Sequence, residues 1–137
     1  MKKTNKLLLI APVILAGLLF CLLTSFKTKE VAKRPCEVTC QFSPTTSDLA
    51  NVSIDNCNSW ASATSVTAGT SFTPMLSGTG CTTLNITTFF PSIHPAGTLR
   101  IYKNGVLQIS HSVAQNQQLG YDDGLSADCD DYFLVTW

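Results

Sequence analysis

Basic side chains are scarce in most of this 137-residue chain, because only Arg100 and Lys103 occur after residue 34. Eight acidic residues accompany them, so residues 35–137 have a net charge of −6. Residues 1–34 hold seven Lys or Arg and one Glu, a net charge of +6, and the two parts cancel. Nucleic-acid binding requires clustered basic side chains that contact phosphates. The scarcity of such side chains therefore excludes nucleic acid as a partner of residues 35–137.

Recognisable catalytic motifs are also missing. The sequence contains no Gly-x-Ser-x-Gly elbow, which would present a serine nucleophile above a sheet. The two histidines differ in setting: His94 sits in a proline-flanked turn and His111 follows a hairpin, and both settings are typical of surface or capping residues. We therefore predict a non-catalytic protein. A small hydrolase that uses His94 and the acidic segment described below is the third hypothesis for its function.

Charge is absent from the run Leu7–Phe26, which is almost wholly apolar and follows a lysine-rich start. A basic start and then an apolar run is the order of a secretory signal. A helix of about 20 residues is also just long enough to cross a bilayer. The run is therefore a cleaved signal peptide, a retained anchor, or the leader of a lipoprotein acylated at Cys21. Each alternative exports the rest of the chain.

These features divide the chain into three parts. Residues 1–26 form the signal peptide or membrane anchor, as an N-terminal hydrophobic helix, and residues 27–35 form a basic linker. Residues 36–137 are long enough for one domain. We predict that this domain is periplasmic, extracellular or anchored at the outer side of a membrane. Only the N-terminal segment would contact the membrane.

Five cysteines follow the leader, and in an exported domain they indicate disulfides. An odd number leaves one thiol free. We predict that Cys36 or Cys40 bonds to Cys129, which would join the first strand to the last, and that Cys57 bonds to Cys81. Spacing alone does not determine this pairing. The alternative is a zinc site in which the Cys-x3-Cys pair binds together with a histidine, although the second half of a zinc motif is missing.

The fold class follows from short alternating runs separated by turns. Residues 36–137 are rich in Ser, Thr and Asn and contain no convincing helix. About eight such runs predict an all-β domain, a small antiparallel β-sandwich of immunoglobulin-like or jelly-roll type. The immunoglobulin signature itself is absent, because Trp60 follows Cys57 by only three residues and Ala127, not Tyr, precedes Cys129 by two. We therefore assign no family.

A hairpin and the final run are the most distinctive of these features. Asn104-Gly105 lies between the alternating runs Thr98–Tyr102 and Val106–Ser110, which predicts a hairpin with a type I′ turn. The final run, Tyr132–Trp137, is largely apolar on both faces and therefore predicts a central strand. Between them, Ala114–Gly120 and Tyr121–Asp131 are predicted to be polar and acidic loops.

The acidic segment is the best candidate for a metal site. Calcium requires several converging oxygen ligands, and the segment concentrates carboxylates, although its spacing is not that of an EF-hand. The predicted cofactor is none, with calcium as the alternative. The candidate ligands are Asp122, Asp123, Asp128, Asp130 and Asp131. The alternative role of this segment is a solvated loop that keeps the domain soluble.

The leading hypothesis for function is an exported, non-catalytic binding or adhesion module whose ligand is a protein or a glycan. Aromatic side chains stack on sugars, and the candidates for that role are Trp60, Tyr102 and Tyr121. The second hypothesis is a structural or assembly subunit that adds an exposed edge strand to a partner sheet.

Overall fold

A computed structural model describes residues 35–91, 96–115 and 117–137, which form an all-β domain. The strands in these residues number nine, one more than the roughly eight expected from turn spacing. In chain order they are β1 (Glu37–Phe42), β2 (Ala50–Asn56), β3 (Trp60–Val66), β4 (Met75–Ser77), β5 (Thr83–Phe90), β6 (Gly97–Lys103), β7 (Val106–Val113), β8 (Leu119–Ser126) and β9 (Tyr132–Thr136).

The strands form two sheets that are mostly antiparallel. Sheet 1 has the order β4-β1-β9-β6-β7, and sheet 2 has the order β3-β2-β5-β8. The one parallel pair joins β1 to β9, the first and last strands described. As predicted, β9 is a central strand, because it lies between β1 and β6. The prediction of an all-β domain with two sandwich-like, mostly antiparallel sheets is therefore confirmed.

One hydrophobic core lies between the two sheets. Every second residue of β1 and of β5 is buried, as expected for strands with one face turned inward. Phe42 and Phe133 of sheet 1 and Phe90 of sheet 2 are at most 1% exposed. Burying a side chain of this size stabilises the fold by about 1.5–3 kcal/mol. Trp137 packs edge-on against Phe90, with ring centroids 5.8 Å apart.

Two disulfides link strand ends, and both match the predicted pairing. Cys36, immediately before β1, bonds to Cys129, shortly before β9, so the parallel strands are joined where both begin. Cys57, immediately after β2, bonds to Cys81, shortly before β5. Because Cys36 is oxidised, it is not available for the alternative zinc site. Gly78 packs so closely on the first bridge that a Cβ there would lie 2.9 Å from Cys36 Sγ.

The predicted hairpin is also confirmed. Strands β6 and β7 are antiparallel neighbours joined by Asn104 and Gly105, whose φ angles are 50° and 80°. Positive φ at both central residues is what a type I′ turn requires, and Asn and Gly tolerate it best. The Asn104 side chain has a second role, because its amide donates to Asp131 at 2.7 Å and its oxygen accepts from the Tyr132 N–H at 2.9 Å.

The prediction of continuous loops from Ala114 to Asp131 is wrong. Residues Leu119–Ser126 form β8, which pairs with β5 along its whole length. Leu119, Tyr121 and Leu125 pack against the core at alternate positions, and this burial outweighs the low β propensity of the Asp and Gly residues between them. An edge strand also tolerates outward charge, which blocks pairing with other chains.

The predicted leader, residues 1–26, and all but the last residue of the predicted linker lie outside the described residues. Within the described ranges, no helix has the length and apolarity needed to cross a bilayer. The two disulfides fit an oxidising, exported environment.

Candidate ligand-binding face around Trp60

The outer surface of sheet 2 is a mostly polar face with one exposed large aromatic side chain, Trp60, whereas Phe89 is half-buried further along the same face. Register places its outward residues in rows across the strands, because paired residues lie on the same side of a sheet. We call this surface the Trp60 face. Its first row is Trp60, Asp55, Asn85 and Gly124, and its second row is Ser62, Ser53, Thr87 and Asp122.

Trp60 is the most exposed large apolar residue described, with 72% of its surface accessible. It begins β3 and pairs with Asp55 of β2. Exposing an indole to water forgoes the stabilisation of about 1.5–3 kcal/mol that burial of a large apolar side chain gives. The exposed indole therefore offers a large apolar surface to a ligand among polar neighbours.

The loop before Trp60 is held by several contacts, so the indole is attached to a fixed part of the backbone. The Asn56 side-chain oxygen accepts from the N–H groups of Asn58 and Ser59 at 2.9 and 3.0 Å. The Asn56 amide donates to the Ser77 carbonyl at 2.8 Å, and the Asn58 amide donates to the Thr79 carbonyl at 2.8 Å. The Cys57–Cys81 bridge fixes the same loop covalently.

Asp55 and Asn85 form the polar centre of the first row. Asn85 Nδ2 donates to Asp55 Oδ1 at 2.9 Å, which orients both groups and leaves the other carboxylate oxygen and the amide oxygen for a ligand. Two depressions meet here. One, of about 520 Å³, is lined by Ser53, Ile54, Asp55, Asn56, Asn58, Ser59 and Trp60. The other, of about 360 Å³, shares Asp55 and Asn56 and extends to Asn85.

The three aromatic side chains predicted to stack on sugars lie at separate places. Trp60 stands on the outer face of sheet 2, whereas Tyr102 is half-buried on the outer face of sheet 1, in register with Leu134. Tyr121 packs against the core, where its ring stacks on His111 with centroids 4.3 Å apart. Of the three, Trp60 alone is open to a ligand on the polar face.

The five carboxylates predicted to bind calcium do not converge. Asp122 and Asp123 are neighbours on β8 and therefore point to opposite sides of the sheet. Asp122 accepts a hydrogen bond from Thr87 Oγ1 at 3.3 Å, and Asp123 binds His111. The remaining three, Asp128, Asp130 and Asp131, lie in the turn before β9. The described residues contain no group of three or more acidic, His or Cys side chains that could hold a metal ion.

Asp131 is the best connected of these carboxylates. Burial acts to raise its pKa, but hydrogen bonds from Lys103, the Asp128 N–H and Asn104, together with the Lys103 charge, hold that pKa below its ordinary value. The Lys103 Nζ lies 2.8 Å from Asp131 Oδ2 and 4.0 Å from Asp128 Oδ2. Asp131 therefore has a structural role at the end of sheet 1 where β9 begins.

His111 and Asp123 join the edges of the two sheets. His111 Nε2 lies 2.9 Å from Asp123 Oδ1, and the Tyr121 hydroxyl donates to the Ser112 carbonyl at 2.8 Å. A histidine–aspartate pair is two-thirds of a hydrolytic triad, but in the described residues no Ser or Cys side chain bonds to His111. The pair instead connects β7 to β8. His94 lies outside the described residues, so the hydrolase hypothesis built on it stays a prediction.

Cys40 is the free cysteine of the described part, and it is completely buried. Burial raises the pKa of its thiol to about 12. The thiol therefore stays protonated at neutral pH and acts as a small core side chain rather than as a nucleophile or ligand.

Sequence reasoning missed Asp55 and Asn85. Both occupy the polar positions of strands whose apolar positions, Ile54 and Ile86, are buried. Alternation alone places them on the outward side, but their proximity depends on the pairing of β2 with β5, which brings together two residues 30 positions apart. Comparison of the chain with protein-family models, with curated proteins and with solved structures gives no match.

Proposed function

We propose that this protein is an exported, non-catalytic binding module and that the Trp60 face binds a glycan. The observation that carries the proposal is the exposed indole of Trp60 beside the oriented Asp55–Asn85 pair. The module would be a sandwich of immunoglobulin-like or jelly-roll type. It would work in the periplasm, outside the cell, or at the outer side of a membrane, to which only the N-terminal segment would attach it.

The chemistry of the face supports a glycan over a protein. A sugar ring has an apolar C–H face that can lie on an indole and an edge of hydroxyls that both donate and accept hydrogen bonds. Asp55 supplies its second carboxylate oxygen as an acceptor, and Asn85 supplies its amide oxygen and the second N–H of its amide nitrogen. The centre of a protein interface is instead depleted of charge and rich in apolar contacts. Trp60 is surrounded by small polar residues, which fits the sugar better.

The fixed loop before Trp60 supports the same proposal. A binding residue that is already ordered loses little conformational entropy when the ligand arrives. The disulfide and the amide hydrogen bonds of Asn56 and Asn58 provide that order without using the indole itself. These contacts therefore leave the ring free for a ligand.

Retention on a glycan array by the full oxidised chain tests the proposal, with Trp60→Ala as the key variant. We expect retained glycans to bind Trp60→Ala at least about tenfold more weakly, which is ~1.4 kcal/mol. Met75→Ala is the matched control, because Met75 is an apolar side chain that is 63% exposed on the other sheet. Equal binding by Trp60→Ala and the unmodified chain, or no retained glycan, would refute the proposal.

The second candidate is an assembly subunit, and strand β7 favours it. β7 is an edge strand of sheet 1 that is eight residues long and contains no proline. Val106 and Leu107 on it are 62% and 49% exposed. Such an edge can accept a strand from another chain. Sedimentation equilibrium over a hundredfold concentration range tests this candidate, and a monomer throughout would argue against self-assembly.

A further inference from the structure

We propose that the ligand of the Trp60 face is an uncharged polysaccharide that lies across the strands along the row Trp60, Asp55, Asn85 and Gly124. This inference rests on the proposed function and specifies its ligand. The site would recognise an internal stretch of the chain, about three sugar units long, rather than a chain end.

The length of the row sets the number of units. Asp55 pairs with Trp60 and with Asn85, and Asn85 pairs with Gly124, so one row crosses all four strands of sheet 2. Neighbouring strands are about 4.8 Å apart, which makes the row about 14 Å long. The repeat of an extended polysaccharide is comparable to one strand spacing. The row therefore offers room for about three units, the first of them on the indole.

Both ends of the row are open. Trp60 lies on the edge strand β3, and Gly124 lies on the edge strand β8. Gly124 is exposed and has no side chain, and a Cβ added there would lie 3.3 Å from Asn85 Oδ1. A glycine at this position leaves the space beyond the amide free. A site for a terminal sugar needs a wall that stops the chain, and no described side chain of this row provides one.

The charges on the face select against anionic polysaccharides. Asp55 and Asp122 are the charged residues of its first two rows. The two basic residues after position 34, Arg100 and Lys103, both belong to β6 in sheet 1. The Lys103 Nζ reaches the Ser126 carbonyl at the end of β8, but its charge is paired with Asp131 at 2.8 Å. Uronic acid or sulfate groups placed along the row would meet carboxylates without a compensating cation, and like charges repel. Neutral chains avoid this cost.

A series of defined oligosaccharides provides the test. Titration calorimetry on the full oxidised chain would use cello-, malto- and chito-oligosaccharides of one to six units, with oligogalacturonates as the anionic probe. We expect affinity for one neutral series to rise at least about tenfold from two to four units and then to level off. Blocking the reducing end of the oligosaccharide should not change its affinity. Oligogalacturonates should bind at least about tenfold more weakly.

Gly124→Gln tests the far end of the row directly. Its side chain would occupy the space beyond Asn85, so we expect it to remove most of the gain between two and four units. Gly120→Gln is the matched control, because Gly120 lies on the same face of β8, four residues and about 13 Å away. A thermal melt of each variant shows that it is folded. If Gly124→Gln does not fold, the length series on the unmodified chain decides.

The outcomes separate the inference from the proposed function. Binding that depends on Trp60 but is already maximal for a single sugar, or that needs a free chain end, overturns the inference and keeps the function. Preference for oligogalacturonates overturns it also. A neutral series that binds Trp60→Ala as well as the unmodified chain refutes both.

Discussion

The outer surfaces of the two sheets differ, although both sheets use the same alternation of inward and outward residues. The Trp60 face of sheet 2 is polar around one exposed indole. The corresponding surface of sheet 1, which we call the apolar face, carries more large side chains: Met75, Tyr132, Leu134, Tyr102 and Leu107 lie on it beside the polar residues Thr39, Gln41 and Arg100. Of these, Met75 and Leu107 are 63% and 49% exposed. The inner positions of both sheets are mostly apolar, so the two sheets differ chiefly at their outer positions.

The two sheets also differ in what holds them. Sheet 1 contains the Cys36–Cys129 bridge and the Lys103–Asp131 ion pair at the start of its central strand. In sheet 2, the Cys57–Cys81 bridge holds the loop that carries Trp60. We therefore expect sheet 1 to contribute most of the global stability, whereas the proposed function places ligand binding on sheet 2. Four variants test that assignment, from the largest expected effect to the smallest.

Cys36→Ser with Cys129→Ser should give the largest loss of stability. The bridge joins residues 93 apart, and closing so long a loop removes about 4–5 kcal/mol of unfolded-chain entropy. We expect the free energy of unfolding to fall by about that amount in guanidinium titrations. Oxidised unmodified chain is the control. A loss smaller than that of the other bridge would reverse the assignment.

Cys57→Ser with Cys81→Ser should cost less stability but more binding. The loop closed by this bridge is shorter, with a separation of 24, and the expected loss is about 3 kcal/mol. Because the bridge fixes the loop before Trp60, glycan affinity should also fall, by about tenfold at a temperature where the variant is folded. Unchanged affinity would mean that the indole needs no fixed support.

Asp131→Asn should destabilise the domain by about 1–3 kcal/mol at neutral pH, because it removes the close anionic partner of Lys103 Nζ and leaves that group the Ser126 carbonyl. The pKa of Asp131 is lowered in the folded state, so its contribution is fully present above the unfolded value of about 4. That contribution is lost as the pH falls through the folded pKa. The free energy of unfolding, measured by urea titration at a series of pH values from 7 to 2, should therefore fall less steeply with pH for the variant than for the unmodified chain.

Asp128→Asn is the matched control for that pH profile. Its side chain is 87% exposed and 4.0 Å from Lys103 Nζ, so its pH profile should match that of the unmodified chain. If the pH dependence of the free energy of unfolding changed equally in both variants, the effect would come from net charge and not from the Asp131 contacts.

Met75→Lys with Leu107→Lys should have the smallest effect. Both side chains are exposed on the apolar face, and surface substitutions usually change stability by no more than about 0.5 kcal/mol each. Glycan binding should be unchanged. A loss of binding, measured by the same calorimetry, would place the ligand on sheet 1 and break the comparison.

Local signals in the sequence predicted the parts of this fold that depend on neighbouring residues. The Asn104-Gly105 turn and the apolar final strand both follow from such signals. The second role of Asn104, its contacts to Asp131 and Tyr132, depends on a strand 28 residues later and could not be predicted. Strand β8 was missed because Asp123 interrupts the inward series Leu119, Tyr121 and Leu125, and because Asp and Gly have low β propensity.

Of the three main residues of the candidate site, the sequence predicted one, Trp60. Trp60 was identified from its type, since an aromatic residue in a polar exported domain is a reasonable sugar platform. Asp55 and Asn85 carry no distinguishing local pattern, and their partnership arises when β5 pairs with β2 rather than with another strand. Strand pairing of this kind is set by the whole core, not by either segment alone.

The Cys36–Cys129 bridge affects what a protease can release from the protein. It closes a covalent ring that contains every described strand except β9. A single cut at any peptide bond between the two cysteines opens this ring but releases no fragment. The nicked protein would run as one band on a gel without reductant and as two with it. The Trp60 face would stay joined to whatever precedes Cys36, even after its backbone has been broken.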